Sequence, residues 1–113
     1  MPYLDITVIP VPSDKQAAYL EHSAWTTALF KEFGAQSVTE TWGTDVPDGK
    51  QTDFKRAVAL KDGETVAVGW IVWPDKATRD AGWEKLMQDD RMAASEFPFD
   101  GKRMIFGGFE QIA

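Results

Sequence analysis

The chain has 113 residues, of which 12 are Lys or Arg and 18 are Asp or Glu, so its formal net charge is −6. This length is that of one domain, and a hydrophobic content of 43% with five Trp, two Tyr and seven Phe supplies the material for its core. The absence of Cys excludes disulfides and thiolate chemistry, the single His excludes a multi-histidine metal centre, and the acidic charge argues against nucleic acid as a partner.

The first predicted element is a strand over residues 3–11. Its side chains alternate with the period of two that is typical of a half-buried strand. One face carries Leu4, Ile6 and Val8, and the other carries Tyr3, Asp5, Thr7 and Ile9. Both faces are therefore largely apolar.

A helix is predicted over residues 13–33. Ser13 and Asp14 are typical N-cap residues, and Gly34 is a typical glycine at a helix C-terminus. At 100° per residue, the bulky aromatic side chains of this helix share one side with His22. We therefore expect His22 to face the sheet.

The rest of the chain divides into elements separated by turn signals. In chain order they are a strand over 35–44, a turn-rich loop over 45–50, a short helix over 52–60, a central strand over 65–73, a helix over 76–88 and a last strand over 103–112. Thr52 and Asp75 are the expected N-caps of the two helices. An extra strand remains an alternative for residues 52–60.

These elements predict a single α+β domain over residues 1–113, with the order β-α-β-(short α)-β-α-β. Two main helices can cover only one face of a four-stranded sheet. The strands nevertheless carry apolar residues on both faces, and a second apolar face needs a partner. We expect a homodimer that forms through the sheet faces.

Four blocks of sequence resemble a known family. They are FKEFGA (residues 30–35), DVPDGK-TDF (45–54), WIVWPDKATRD (70–80) and FPFDGKRMIFGGFE (97–110). They are similar to the signature stretches of the YbaA-like bacterial family, domain of unknown function number 1428, within the dimeric α+β barrel superfamily. The resemblance covers nearly the whole chain.

The resemblance implies a ferredoxin-like protomer with an antiparallel four-stranded sheet, two of which pack sheet against sheet into a dimeric α+β barrel. It implies no particular activity. The wider superfamily includes cofactor-free monooxygenases, haem-degrading enzymes and dehydratase-like proteins, so any function transferred from it rests on fold analogy.

His22 and Arg79 are the side chains best suited to chemistry. A histidine on an inward helix face can act as a general base or bind a ligand, although a structural role is the more common one. Arg79 shares a helix face with Gly82, where the missing side chain leaves room for an anion, unless the guanidinium pairs with a carboxylate such as Glu40 or Asp80. Both residues would flank the cleft where superfamily relatives bind ligands.

Three tryptophans, Trp42, Trp70 and Trp83, are the predicted walls of this cleft, because aromatic faces suit flat organic ligands. Core packing explains the same residues without any ligand. We predict no metal and no cofactor, since the loop over 45–50 lacks the full ligand pattern of a calcium loop. Pro2, which would act as a terminal amine base if Met1 were removed, ranks third among the sites.

Three functions follow from this reading. The first is a protein that binds a small organic molecule, and the second is a related cofactor-independent enzyme. The third is a structural or regulatory dimer with a filled cleft. No segment has the roughly 20 apolar residues of a membrane span and residues 1–12 do not resemble a signal peptide, so we expect no membrane partner and a cytoplasmic location.

Overall fold

Four strands form one antiparallel sheet in the computed structural model, which describes residues 1–113. The strands are β1 (Tyr3–Pro12), β2 (Ser37–Glu40), β3 (Glu64–Trp73) and β4 (Ile105–Glu110). The helices are α1 (Gln16–Glu32), α2 (Phe54–Ala57), α3 (Lys76–Gln88) and α4 (Asp90–Ala93). The order across the sheet is β2-β3-β1-β4, and β1 pairs with both β3 and β4.

The helix over residues 52–60 exists, but only residues 54–57 are helical, and its predicted cap is wrong. Asp53, not Thr52, is the N-cap, and its carboxylate accepts a hydrogen bond of 2.7 Å from the backbone N–H of Arg56. Asp53 has the extended backbone of an N-cap, with φ at −162°.

The predicted cap of the first helix is also wrong. Residues 13–15 form one turn of 3₁₀ helix, and the N-cap of α1 is Lys15, which makes no side-chain capping bond. The reason is that the backbone N–H of Ser13 donates to the carbonyl of Gly63 at 2.8 Å. That bond holds the chain in a turn before α1 begins. The cap of α3 is Asp75, as predicted, and its carboxylate accepts from the N–H of Thr78 at 2.7 Å.

Helices α1 and α3 pack on one face of the sheet. The core between them contains Leu29 and Phe30 of α1, Leu86 of α3, and Ile71 and Trp73 of β3. Trp73 and Leu86 have no exposed surface. Trp73 and Leu86, the two largest fully buried side chains, thus anchor α3 to the central strand.

The opposite face of the sheet is covered at one end only. There Val58, which follows α2, packs against Val8 and Val66, so the short helix covers a part of the face that we expected to be bare. Further along, Leu4 lies between Val72 and Phe109 in the strand register. Phe109 is 52% exposed, so an apolar strip of this face meets solvent. None of the helices combines the length and apolar character that crossing a bilayer requires.

Candidate functional site

A cavity of about 280 Å³ opens between α1, the sheet and the segment that leads from α4 to β4. Its walls include Phe30 from α1, Ile71 from β3 and Trp83 from α3, and Met92 of α4 and Phe99 of the segment before β4 close it. Twelve of its 18 lining residues are hydrophobic. A molecule that fills it must therefore be largely apolar.

Glu40 places a carboxylate on the wall of this cavity. One of its oxygens accepts a hydrogen bond of 2.9 Å from the hydroxyl of Tyr19, and the other accepts from Ser23 at 3.2 Å. The carboxylate lies across β3 at Gly69, where a Cβ atom would collide with Oε1 of Glu40. The position of Glu40 thus depends on two hydroxyl donors from α1 and on a glycine in the neighbouring strand.

The surroundings of Glu40 shift the pKa values of both partners. Burial raises the pKa of Glu40, and the hydrogen bonds from Tyr19 and Ser23 offset this only in part. Burial and then the nearby Glu40 carboxylate raise the pKa of Tyr19, so this phenol keeps its proton at neutral pH. The pair therefore joins a protonated phenol to a carboxyl group whose proton affinity is increased.

His22 lines the same cavity and has a buried nitrogen without a partner. Its Nε2 atom has no hydrogen bond, although no water can reach it from the surface. The imidazole packs edge-on against Trp25, Phe97 and Phe99, with ring centroids 5.5, 5.0 and 6.1 Å away. Burial lowers the pKa of His22, which favours the neutral ring. A buried polar atom without a partner is uncommon, and the same burial keeps Nε2 out of contact with the open cavity.

Arg79 does not line the cavity. Its NH2 group donates to Oδ1 of Asp5 at 2.7 Å, and its NH1 group donates to Asp80 at 3.0 Å. The room for an anion that we expected beside Gly82 is filled, because a Cβ atom at Gly82 would lie 2.7 Å from the ring of Trp73. The guanidinium is thus engaged by carboxylates, one of them the predicted Asp80.

The three predicted tryptophans lie in different places. Trp83 lines the cavity with its ring against Phe30, at 5.3 Å between centroids. Trp70 also belongs to the lining, although strand alternation assigns its side chain to the opposite face of the sheet. Trp42 lines a separate, smaller pocket and packs on Tyr19. The structure thus brings His22 and Trp83 to the cavity, puts the side chain of Trp70 on the opposite face of the sheet, and leaves Arg79 and Trp42 outside the cavity.

Glu40 and Tyr19 were missed as site residues by the sequence reasoning. The signal was present, because Val38, Glu40 and Trp42 alternate along one face of the predicted second strand. An acidic residue between two apolar ones on an inward face is a candidate for a buried carboxylate. The structure holds no cluster of three or more His, Asp or Glu side chains that could bind a metal ion.

Comparisons with known proteins give consistent matches over nearly the whole chain. A family model described as "Protein of unknown function (DUF1428)" matches residues 2–101. The chain is 52% identical over 114 residues to the "Uncharacterized protein YbaA" of Escherichia coli strain K12, which covers 99% of this chain and 97% of that protein. The proteins of the same name from Escherichia coli O157:H7 and Shigella flexneri match with the same identity and coverage.

Proposed function

The chain belongs to the DUF1428 family of proteins of unknown function. We propose that it binds a small, largely apolar organic molecule in the cavity beside α1. The observation that carries the proposal is a cavity of about 280 Å³ with a mostly hydrophobic lining and a single carboxylate, that of Glu40. An apolar cavity of about 150 Å³ is enough to hold benzene. The volume here suits a molecule of two fused rings.

Packing alone does not account for this cavity. Protein interiors are close-packed, and the few voids in a small domain are mostly no larger than a water molecule. Thr26 and Val38 line the space from α1 and β2, where larger aliphatic residues would fill it. A purely structural or regulatory dimer, for which we expected a filled cleft, is therefore the less favoured function.

Naphthalene is a suitable probe, because it is apolar, flat and uncharged. At ten times its Kd it stabilises the folded protein by about 1.4 kcal/mol, which a thermal-shift assay detects. In Val38→Phe, the added ring occupies the cavity and the shift is lost. Leu20→Phe is the matched control, since Leu20 is an exposed residue of α1 outside the cavity. Absence of a shift in the wild type, or an equal shift in Val38→Phe, would contradict the proposal.

We propose further that the protomer is ferredoxin-like and that two copies pack sheet against sheet into a dimeric α+β barrel. The strand order β2-β3-β1-β4, with α1 and α3 on one face, supports the first part. The apolar strip of Leu4, Ile6 and Phe109 on the other face supports the second, because contiguous exposed apolar surface marks interaction sites.

The dimer is tested by light scattering at micromolar concentration. We expect the mass of two chains for the wild type and of one chain for Phe109→Glu, because a carboxylate cannot be buried unpaired between two sheets. Phe106→Glu is the matched control, since Phe106 is an exposed residue of the same strand on its other face. A monomeric wild type, or a dimeric Phe109→Glu variant, would reject the sheet-to-sheet arrangement.

A second candidate function is a small-molecule enzyme resembling the cofactor-independent monooxygenases of the wider superfamily. The observation that favours it is the contact between Glu40 and Tyr19 in the cavity, with a raised pKa for the Glu40 carboxyl group. For an enzyme, Glu40→Gln abolishes turnover of a bound molecule while that molecule still binds. A cytoplasmic location is part of the proposal and is tested by cell fractionation.

A further inference from the structure

We infer that Glu40 determines the ligand specificity of the cavity, which selects uncharged aromatic molecules with an O–H or N–H donor and rejects carboxylates. The inference rests on the proposed ligand-binding function and specifies the class of ligand. It adds a specificity-determining residue to the cavity.

The charges around the cavity are of one sign. Its lining contains one carboxylate, Glu40, and no Lys or Arg. The imidazole of His22 is kept neutral by burial, and the phenol of Tyr19 keeps its proton. An anion in this space would therefore meet a carboxylate in an apolar environment without any cation to balance it, which is strongly unfavourable.

The arginines of α3 and of the segment before β4 are already engaged. Arg79 donates to Asp5 and Asp80, as described above. Arg103, at the end of the segment that closes the cavity, donates two hydrogen bonds of 2.7 Å to the carboxylate of Glu64. Moving either guanidinium toward a ligand would leave a carboxylate without its partner, which costs more than a ligand contact returns.

The polar atoms of the cavity suit a donor. An ionised carboxylate has about four acceptor positions, and Tyr19 and Ser23 use two of those on Glu40. The remaining positions can accept from an O–H or N–H group, and a bond to an ionised acceptor is about twice as strong as one between neutral groups.

Glu40 is also held in place before any ligand binds. Hydroxyl donors from two residues of α1 fix its two oxygens, and Gly69 leaves space for the carboxylate over β3. A group that is already ordered loses little conformational entropy when a ligand binds. The preference of Glu40 for a ligand with an O–H or N–H donor is therefore measurable as a difference in binding affinity.

Three probes with the same two fused rings separate the hydrogen bond to Glu40 from the repulsion of a carboxylate by Glu40. They are naphthalene, 2-naphthol and 2-naphthoate. By calorimetry near neutral pH, we expect 2-naphthol to bind about tenfold more tightly than naphthalene, which is the gain from one hydrogen bond to a charged acceptor. We expect 2-naphthoate to bind at least about tenfold more weakly than 2-naphthol.

Glu40→Gln removes the charge and keeps the shape of the side chain. We expect it to reduce the preference for 2-naphthol over naphthalene and to strengthen 2-naphthoate binding about tenfold. Glu84→Gln, at an exposed position of α3 outside the cavity, is the control that changes neither preference. The ranking of the three probes on the wild-type protein tests the inference even if Glu40→Gln does not fold.

The outcomes distinguish this inference from the proposed function. If neither naphthalene nor 2-naphthol binds, the proposed function fails and the specificity assigned to Glu40 fails with it. If naphthalene binds as tightly as 2-naphthol, or 2-naphthoate binds as tightly as either, the cavity binds ligands but the inference about Glu40 is overturned.

Discussion

Arg79 and Asp5 form a forked ion pair between α3 and β1, with Nε and NH2 of the arginine on one carboxylate. The second oxygen of Asp5 also accepts from the indole N–H groups of Trp73 at 2.9 Å and Trp83 at 2.7 Å. Asp5 is only 6% exposed. A buried carboxylate with this many donors is fully satisfied, and it joins β1, β3 and α3 at one point.

We predict that Asp5→Ala lowers the free energy of unfolding by about 3 kcal/mol, because it leaves Arg79 and two indole N–H groups without their acceptor. Chemical denaturation measures this. Asp80→Ala is the control, since Asp80 is an exposed partner of the same arginine and such pairs contribute less than about 1 kcal/mol. Equal effects of the two substitutions would show that Asp5 is not the acceptor on which the three donors depend.

We predict that Gly82→Ala destabilises the protein although alanine is the better helix former. The added methyl group would lie 2.7 Å from the ring of Trp73 and 2.9 Å from the carbonyl oxygen of Phe33. Trp73 is fully buried and a backbone carbonyl cannot easily shift, so overpacking of about 1–3 kcal/mol exceeds the helix propensity gain of about 1 kcal/mol. Thermal unfolding measures the difference.

Gly101→Ala is the matched control for this substitution. A Cβ atom at Gly101 meets no other atom within 4 Å, so we expect a change within about 1 kcal/mol of zero. A Gly82→Ala variant as stable as Gly101→Ala would contradict the close approach of α3 to Trp73.

Local signals predicted most of the fold. The helix over 76–88 agrees with α3, and the apolar run over 65–73 lies within β3. The family resemblance carried by four blocks is confirmed by the matched family model and by relatives 52% identical to the chain. Element ends were less accurate, because the predicted strand over 35–44 is a regular strand only at Ser37–Glu40. The backbone N–H groups of Gln36, Thr41 and Gly43 nevertheless also donate to carbonyls of β3.

The site was harder to predict than the fold. The inward position of His22 follows from helical spacing, and its place on the cavity wall agrees with that spacing. The acceptor of Arg79 lies 74 residues earlier in the chain, so no local pattern identifies Asp5. Arg79 is held at β1 by Asp5, and β1 lies two strands away from β2, which carries Glu40. Glu40 therefore contacts Tyr19 of α1 and not Arg79.

We predict that His22 makes the protein less stable in mild acid. Burial lowers the pKa of His22, so between that lowered value and the usual 6.5 the unfolded chain binds more protons than the folded one. Stability is then lost as the pH falls from 6.5 through the lowered pKa. His22→Gln removes this contribution, so the stability of the wild type relative to His22→Gln decreases below pH 6.5. Urea unfolding at a series of pH values measures it.

Glu40→Gln is the control, because the contribution of Glu40 to stability changes with pH in the opposite direction to that of His22. Burial raises the pKa of Glu40 above its usual 4.5, so the folded protein binds more protons there than the unfolded chain. Stability is lost as the pH rises from 4.5 through the raised pKa of Glu40, and Glu40→Gln removes that loss. A difference between the wild type and His22→Gln that does not change with pH would rule out a buried neutral imidazole.

We predict that Arg103→Lys loosens the segment that closes the cavity. Both terminal nitrogens of Arg103 donate to Glu64, and its Nε donates to Asp100 at 2.9 Å, so the guanidinium connects this segment to the start of β3. A lysine ammonium is a point charge that cannot reproduce the fork. We expect a loss of stability and faster amide hydrogen exchange over residues 97–104.

The control for this substitution is Arg91→Lys. Arg91 also bonds two acidic residues, Glu32 and Asp89, but its side chain is 58% exposed, against 16% for Arg103. Exposed pairs are screened by water, so we expect no measurable change in exchange over residues 97–104. Because Phe97, Phe99 and Met104 line the cavity, a segment loosened only by Arg103→Lys also weakens naphthalene binding. Unchanged exchange in Arg103→Lys would mean that packing of these side chains, not the ion pair, holds the segment closed.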